Sequence, residues 1–269
     1  VLAMPYANAG LYCFDVKTAV EVINGLGTNN AQGEIYLTDA LEVFAKRDDA
    51  VLYEVSKAED MLTYSTKPEL RTMSRYFMRT AGQFISDIES GILNTMFDDL
   101  YREDFEQQKK RYVNLLNLFI TKYGDRKVVI TRAPGRINLM GRHIDHRGGG
   151  INVIATDKDT VFISSPRDDD TVNVANIDKN YPDDSFSIKD MLNMGPHDNW
   201  LDYLNSEKVY TALKVTKGCW TNYVKSAVLR AQYENEMPLC GMDMVAGGTI
   251  PVAAGLSSSS SIVVAVMEA

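Results

Sequence analysis

Between positions 247 and 261 the chain reads Gly-Gly-Thr-Ile-Pro-Val-Ala-Ala-Gly-Leu-Ser-Ser-Ser-Ser-Ser, set between a strand-like run and an apolar helix-like run. Small residues let a backbone come close to an anion, and a helix N-terminus aims unsatisfied N–H groups at it. Serine hydroxyls add hydrogen bonds or a magnesium ligand. The chemistry of this stretch is therefore the holding of phosphate. It differs from the G-x-x-x-x-G-K-[ST] loop because no lysine follows the glycines. A flexible serine linker would lack the flanking Ile-Pro-Val and Ile-Val-Val-Ala-Val runs. A second stretch, Thr131-Arg-Ala-Pro-Gly-Arg-Ile-Asn-Leu-Met-Gly-Arg-His-Ile-Asp-His-Arg-Gly-Gly-Gly150, gathers Arg136, Arg142, His143, Asp145 and His146 after a predicted strand. Donors and acceptors of these types suit sugar hydroxyls. On the residues alone, His143-x-Asp145-His146 reads equally as a metal cluster short of a third ligand, or as a structural polar loop.

Taken together the two stretches resemble the GHMP kinases, and within them the galactokinases. Pro251-Val-Ala-Ala-Gly-Leu-Ser-Ser-Ser-Ser-Ser261 is similar to the second motif of that superfamily. Gly135-Arg-Ile-Asn-Leu-Met-Gly141 with His143-Ile-Asp145 is similar to the galactokinase sugar motif, and Trp220-Thr-Asn-Tyr-Val-Lys225 to a segment lying between the two. The resemblance implies that Gly255, Leu256, Ser257 and Ser258 cradle the phosphates of ATP and that Ser259 helps hold Mg²⁺. It places Arg136 beside the reacting hydroxyl and phosphate, and assigns Arg142, His143, Asp145 and Tyr223 to the sugar side. Two positions depart from the family pattern: its Glu is Arg142 here and its Tyr is His146, so a permanent cation replaces an acceptor. The family's catalytic Asp and second domain are expected beyond Ala269, so the chain as given is expected to bind substrates without efficient turnover. Non-catalytic sugar and ATP sensors related to galactokinases are the rival reading.

The N-terminal part carries a different signature. Asn8-Ala-Gly-Leu-Tyr-Cys-Phe-Asp15 and Asn29-Asn-Ala-Gln-Gly-Glu-Ile-Tyr-Leu-Thr-Asp39 resemble the sugar-binding half of N-acetylglucosamine-1-phosphate uridylyltransferases and related sugar-1-phosphate nucleotidyltransferases. The resemblance implies that Asn8 and Glu34 serve the sugar and ribose side, and Tyr36 and Thr38 the sugar phosphate. Ser65 stands where that family has a metal-binding Asn, so this part is expected to be incomplete or altered. A kinase making a sugar 1-phosphate followed by a transferase consuming it would be one salvage enzyme.

The elements that must position these residues follow from periodicity and punctuation. A strand is predicted over 8–16, helices over 16–26, 38–45 and 67–87, and a strand over 50–55. Residues 84–123 read as a helical connector closed by Gly124-Asp125. Strands over 127–131, 160–165 and 242–246 and helices over 200–204 and 221–233 complete the pattern. The expected organisation is an α/β nucleotidyltransferase-like part (Rossmann-like) over 1–84, the connector over 85–126, and the two-layer α+β GHMP kinase N-terminal domain, like ribosomal protein S5 domain 2, over 127–269. Net charge of -8 with 45% apolar residues excludes nucleic-acid binding as the main task and predicts a packed core. No stretch approaches the roughly 20 apolar residues of a membrane span, and three widely spaced cysteines read as reduced thiols of a cytoplasmic protein. Val1 and Ala269 read as the ends of a fragment.

Overall fold

A computed structural model of the chain describes residues 12–28, 33–47, 50, 70, 74, 75, 77–141, 144, 147–196, 199–252 and 254–269. The chain divides into two compact units, Val1–Tyr76 and Phe77–Ala269.

In the first unit, helix α1 (Val16–Asn24) starts where Asp15 accepts the Thr18 N–H at 2.9 Å, and it stops at Gly25. That hydrogen bond and one from the Thr18 hydroxyl hold the Asp15 carboxyl below its usual range. Helix α2 is Leu37–Lys46. The two pack through Ala19, Val22, Ala40 and Phe44, one side chain per helical turn on each facing stripe. Of the strand predicted over 8–16, residues 12–15 are irregular, with Asp15 committed to capping, and residues 8–11 lie outside the described residues. The strand predicted over 50–55 lies outside the described residues.

Of the helix predicted over 67–87, the described residues 70, 74, 75 and 77 are helical. Residues 78–80 are not, and helix α3 (Ala81–Glu89) follows them in the second unit. Thr80 and Gln83 form a reciprocal capping box, and Thr80 pairs in an isolated bridge with Lys127, so its backbone is extended. Helices α4 (Asn94–Tyr101) and α5 (Phe105–Tyr123) follow, linked by one turn of 3-10 helix. Then come strands β1 (Val129–Met140), β2 (Asn152–Pro166), β3 (Thr171–Asn176) and β4 (Asp184–Ser187). Helices α6 (Ile188–Leu192), α7 (Trp200–Asn205), α8 (Glu207–Val215) and α9 (Thr221–Glu234) precede β5 (Met242–Gly248) and α10 (Ser258–Met267). The strands form one sheet in the order β1-β2-β5-β3-β4, antiparallel except for the β3–β5 pair.

Both faces of this sheet are buried. Val161 and Ile163 of β2 and Val245 of β5 point at Leu115, Leu116 and Phe119 of α5. Phe162, Met244 and Ala246 point at Val224 and Val228 of α9 and Ala265 of α10. A strand buried on two faces needs no polar alternation, which is why Val161–Ile163 of β2 and Met244–Ala246 of β5 read as continuous apolar runs. Each of the fully buried Val, Ile, Leu, Phe and Met side chains among these contributes about 1.5–3 kcal/mol of transfer free energy. The segment expected to be a connector thus forms a complete layer, and the unit has helices on both faces where two layers were expected. Strands β3 and β4 are short and follow acidic turn-like sequence, so periodicity alone did not separate them from loop.

Candidate functional site

The serine stretch folds as its composition demands. Gly255 has φ +75° and Ser257 φ 61°, two left-handed residues bracketing Leu256 just before α10. A glycine adopts this conformation without strain, whereas Ser257 does so against the steric preference of an L-residue. The Ser257 side chain makes no capping hydrogen bond, and the first intrahelical bond is donated by the Ser261 N–H to the Ser257 carbonyl. The amides of Ser258, Ser259 and Ser260 therefore lie at the helix N-terminus ahead of the hydrogen-bonded turns. Ser258 and Ser259 themselves are half-buried. The donor set suits a phosphate, with a serine oxygen as a candidate Mg²⁺ ligand.

Strand β1 delivers Arg136 to this loop. The predicted strand over 127–131 continues to Met140, through Pro134 and Gly135, with a register shift between Pro134 and Arg136. Such a bulge is where an edge strand tolerates proline and glycine. The Arg136 N–H donates to the Leu256 carbonyl at 3.0 Å, joining the sugar-type motif to the phosphate-type loop. Gly135 permits this approach, since a Cβ there would meet Thr156 Oγ1 at 2.6 Å and the Leu256 carbonyl at 3.1 Å. Arg136 Nε and Asn138 Oδ1, on the same side of the strand, are buried and have no hydrogen-bond partner. Buried polar atoms of this kind call for a partner from solvent or a ligand.

The start of the loop rests on a cluster that sequence reasoning missed. Asp159 of β2 is fully buried and accepts from Arg111 Nη2 at 2.6 Å, Arg132 Nε at 2.5 Å and the Tyr101 hydroxyl at 2.5 Å. Tyr112 adds a 2.8 Å hydroxyl contact to Tyr101. Burial pushes the Tyr101 phenol far above its usual range, so it stays a neutral donor. The sequence signal, an Asp one residue ahead of a buried apolar strand run, was present but had no visible partner.

Of the other predicted site residues, Tyr223 lies on α9 and is 43% exposed. The start of α9 is fastened to β4: the Thr221 hydroxyl donates to Asp184 at 2.6 Å and Lys225 Nζ lies 2.7 Å from the same oxygen. Burial raises the Asp184 carboxyl, but Lys225 and Thr221 outweigh it and leave it below its usual value. Strand β4 is at the opposite edge of the sheet from β1, while α9 itself packs against α10 through Val224, Val228 and Ala265. In the same segment the Trp220 indole donates to the Pro182 carbonyl at 2.9 Å. Arg142, His143, Asp145 and Asn8 lie outside the described residues, as do His146 and Ser65. Glu34 and Thr38 are exposed in the first unit, and Tyr36 precedes α2 at its N-cap. Among the described residues, no group of three or more His, Cys, Asp or Glu is placed to hold a metal ion, and no helix is long and apolar enough to cross a membrane.

Two family descriptions match this second unit. The galactokinase galactose-binding signature matches residues 117–166, spanning the end of α5, β1 and β2, and the GHMP kinases N terminal domain matches residues 222–269, spanning α9, β5, the loop and α10. Over these two stretches the unit, a mixed α/β fold, is thus similar to galactokinases and GHMP kinases. A galactokinase of Dictyostelium discoideum is 33% identical over 172 residues, which are 62% of this chain and 30% of that protein. The chain thus spans under a third of the length of that relative. Lactococcus lactis galactokinase complexed with galactose aligns with 56% of this chain and 34% of its own at 25% identity and TM-score 0.42. Methanococcus jannaschii mevalonate kinase aligns with 52% of this chain and 38% of its own at 20% identity and TM-score 0.37.

Proposed function

We propose that the chain is the nucleotide-gripping part of an ATP-dependent sugar kinase that phosphorylates the anomeric hydroxyl. The observation that carries this reading is the Arg136 N–H to Leu256 carbonyl hydrogen bond, which holds a motif of sugar-kinase type against a loop built for phosphate. ATP with Mg²⁺ supplies the phosphoryl group when bound. The backbone amides at the start of α10 hold its phosphates, and the hydroxyl of Ser259 is the candidate metal ligand. Arg136, with Nε buried and unpartnered, provides the fixed positive charge that transferring phosphoryl groups require. His143 and Asp145 bind sugar hydroxyls in this reading. Arg142, a cation where the galactokinase pattern has a carboxylate, selects a sugar carrying an anionic group. An Arg142→Glu variant should shift preference toward galactose, and an unchanged preference would remove Arg142 from the specificity account.

The first unit is proposed as an altered sugar-1-phosphate nucleotidyltransferase, resting on the run from Asn29 to Asp39 with Asn8, Glu34, Tyr36 and Thr38 as its ligand side. Kinase product would then be its substrate, in a cytoplasmic salvage route to nucleotide sugars. Pyrophosphate release from a nucleoside triphosphate and a sugar 1-phosphate tests this directly, and none from any of the four nucleotides would discard it.

The kinase reading is tested by ADP release from the longest natural form of the protein, with Mg-ATP and a panel of hexoses, pentoses, amino sugars and uronic acids. Sugar-dependent ADP is the expected result. ATP binding with no ADP from any sugar would favour the second reading, a sugar and ATP sensor, which the replacements at Arg142 and His146 already bring into view.

A further inference from the structure

The phosphate-type loop is fastened at both ends to two consecutive residues of β2. At its start, the Thr249 N–H donates to the Asp159 carbonyl at 2.8 Å, while Thr249 Oγ1 accepts the Asp159 N–H at 3.0 Å and Arg111 Nη1 at 3.1 Å. At its end, the buried Ser261 hydroxyl lies 2.7 Å from the Thr160 hydroxyl and also donates to the Ser258 carbonyl at 2.7 Å. Between these ties, among the described residues of 250–260, the backbone hydrogen bond to a strand is the one already described, Leu256 to Arg136.

The cluster under the first tie is expensive for stability alone. One buried carboxylate faces two guanidinium groups, with rings of Tyr101 and Tyr112 packed 5.0–5.8 Å from them. Replacing such a buried ionic group by apolar residues is often neutral or stabilising, so its presence argues for a geometric task. That task is visible in what the cluster touches: Arg111 spans from Asp159 to Thr249, the first residue past β5. With Tyr101 a donor between Asp159 and Tyr112, the cluster sets one carboxylate against two guanidinium groups, among the described residues, at the root of a loop meant for an anion.

We propose that Thr249, Asp159 and Arg111 are positioning residues for nucleotide binding, fixing where the loop leaves the sheet so that the amides of α10 and Arg136 face the same phosphate. This rests on the kinase reading for its ligand, though the loop geometry itself can be read without one. Thr249→Val keeps the branched shape and removes the acceptor. In this variant, amide hydrogen exchange within 250–257 should quicken about tenfold, and Mg-ATP affinity of the chain should fall about tenfold, the scale of one buried hydrogen bond with a charged donor. Exchange in α9 should stay unchanged, and Thr249→Ser should restore both quantities. Arg111→Lys, which keeps the charge and loses the two-pronged contact, should shift both readouts in the same direction. A wild-type chain that binds no ATP would sink the kinase reading, while loop exchange would still decide this one. Unchanged loop exchange in both variants, or equal loosening of α9, would overturn it.

Discussion

Two aspartates are buried in the sheet of the second unit, each between two arginines, and they sit near opposite ends of the β2–β5 pair. Asp159 is beside Thr160, which pairs with Gly248, and Asp243 pairs with Ser165. Five residues of strand separate these positions, roughly 17 Å. Asp243 accepts from Arg126, from Arg167 Nη1 at 2.9 Å and from Asn173 Nδ2 at 2.7 Å. Its arginines precede β1 and follow β2, and Arg126 also donates to the Pro166 carbonyl at 2.5 Å. That cluster therefore ties strand ends together and touches no loop of the site. The Asp159 cluster has the same charges but reaches Thr249. A buried carboxylate between guanidiniums says nothing of function by itself; the segment attached to it does.

Asp159→Asn and Asp243→Asn should break the comparison most severely. Each leaves two arginines without a buried counter-charge, an expected loss of about 3–5 kcal/mol in denaturant unfolding. Under conditions where both variants remain folded, only Asp159→Asn should weaken Mg-ATP binding; equal weakening would erase the distinction between the two ends. Gly135→Ala should come next. Its Cβ would force Thr156 and the Leu256 carbonyl back from 2.6 and 3.1 Å, so ATP affinity should drop about tenfold with little loss of secondary structure by circular dichroism. The smallest effect belongs to Tyr123, near the Asp243 end. Burial first, and then the charge of Asp243, pushes its phenol up to about 12. The unfolded phenol ionises near its ordinary value of about 10, so the stability from keeping Tyr123 neutral is complete below pH 10 and is lost as pH rises toward 12. Tyr123→Phe should flatten part of that alkaline decline in thermal melts, and a decline of unchanged slope would show that Tyr123 does not contribute.

What could be read from the sequence was local. The loop, its following helix and the Arg136 motif were legible because glycine, serine and apolar residues at fixed short spacing dictate turn and helix. The Asp159 cluster was not, since Arg111 and Thr249 are 48 and 90 positions from Asp159 and share no pattern. The helix of 105–123 was legible from its period, but its role as a sheet-covering layer depended on knowing that β2 is buried on two faces. Pro134 and Gly135 looked like the end of a strand, and the bulge beside Arg136 turned them into its middle.

The account stands most directly on a titration of Mg-ATP into the isotope-labelled chain, followed by backbone amide resonances. Saturable shifts shared by Leu256, Ser257, Ser258, Ser259 and Arg136, with α1 and α2 silent, are the predicted result. No saturable shift, or shifts that leave the 255–259 amides unmoved, would contradict it.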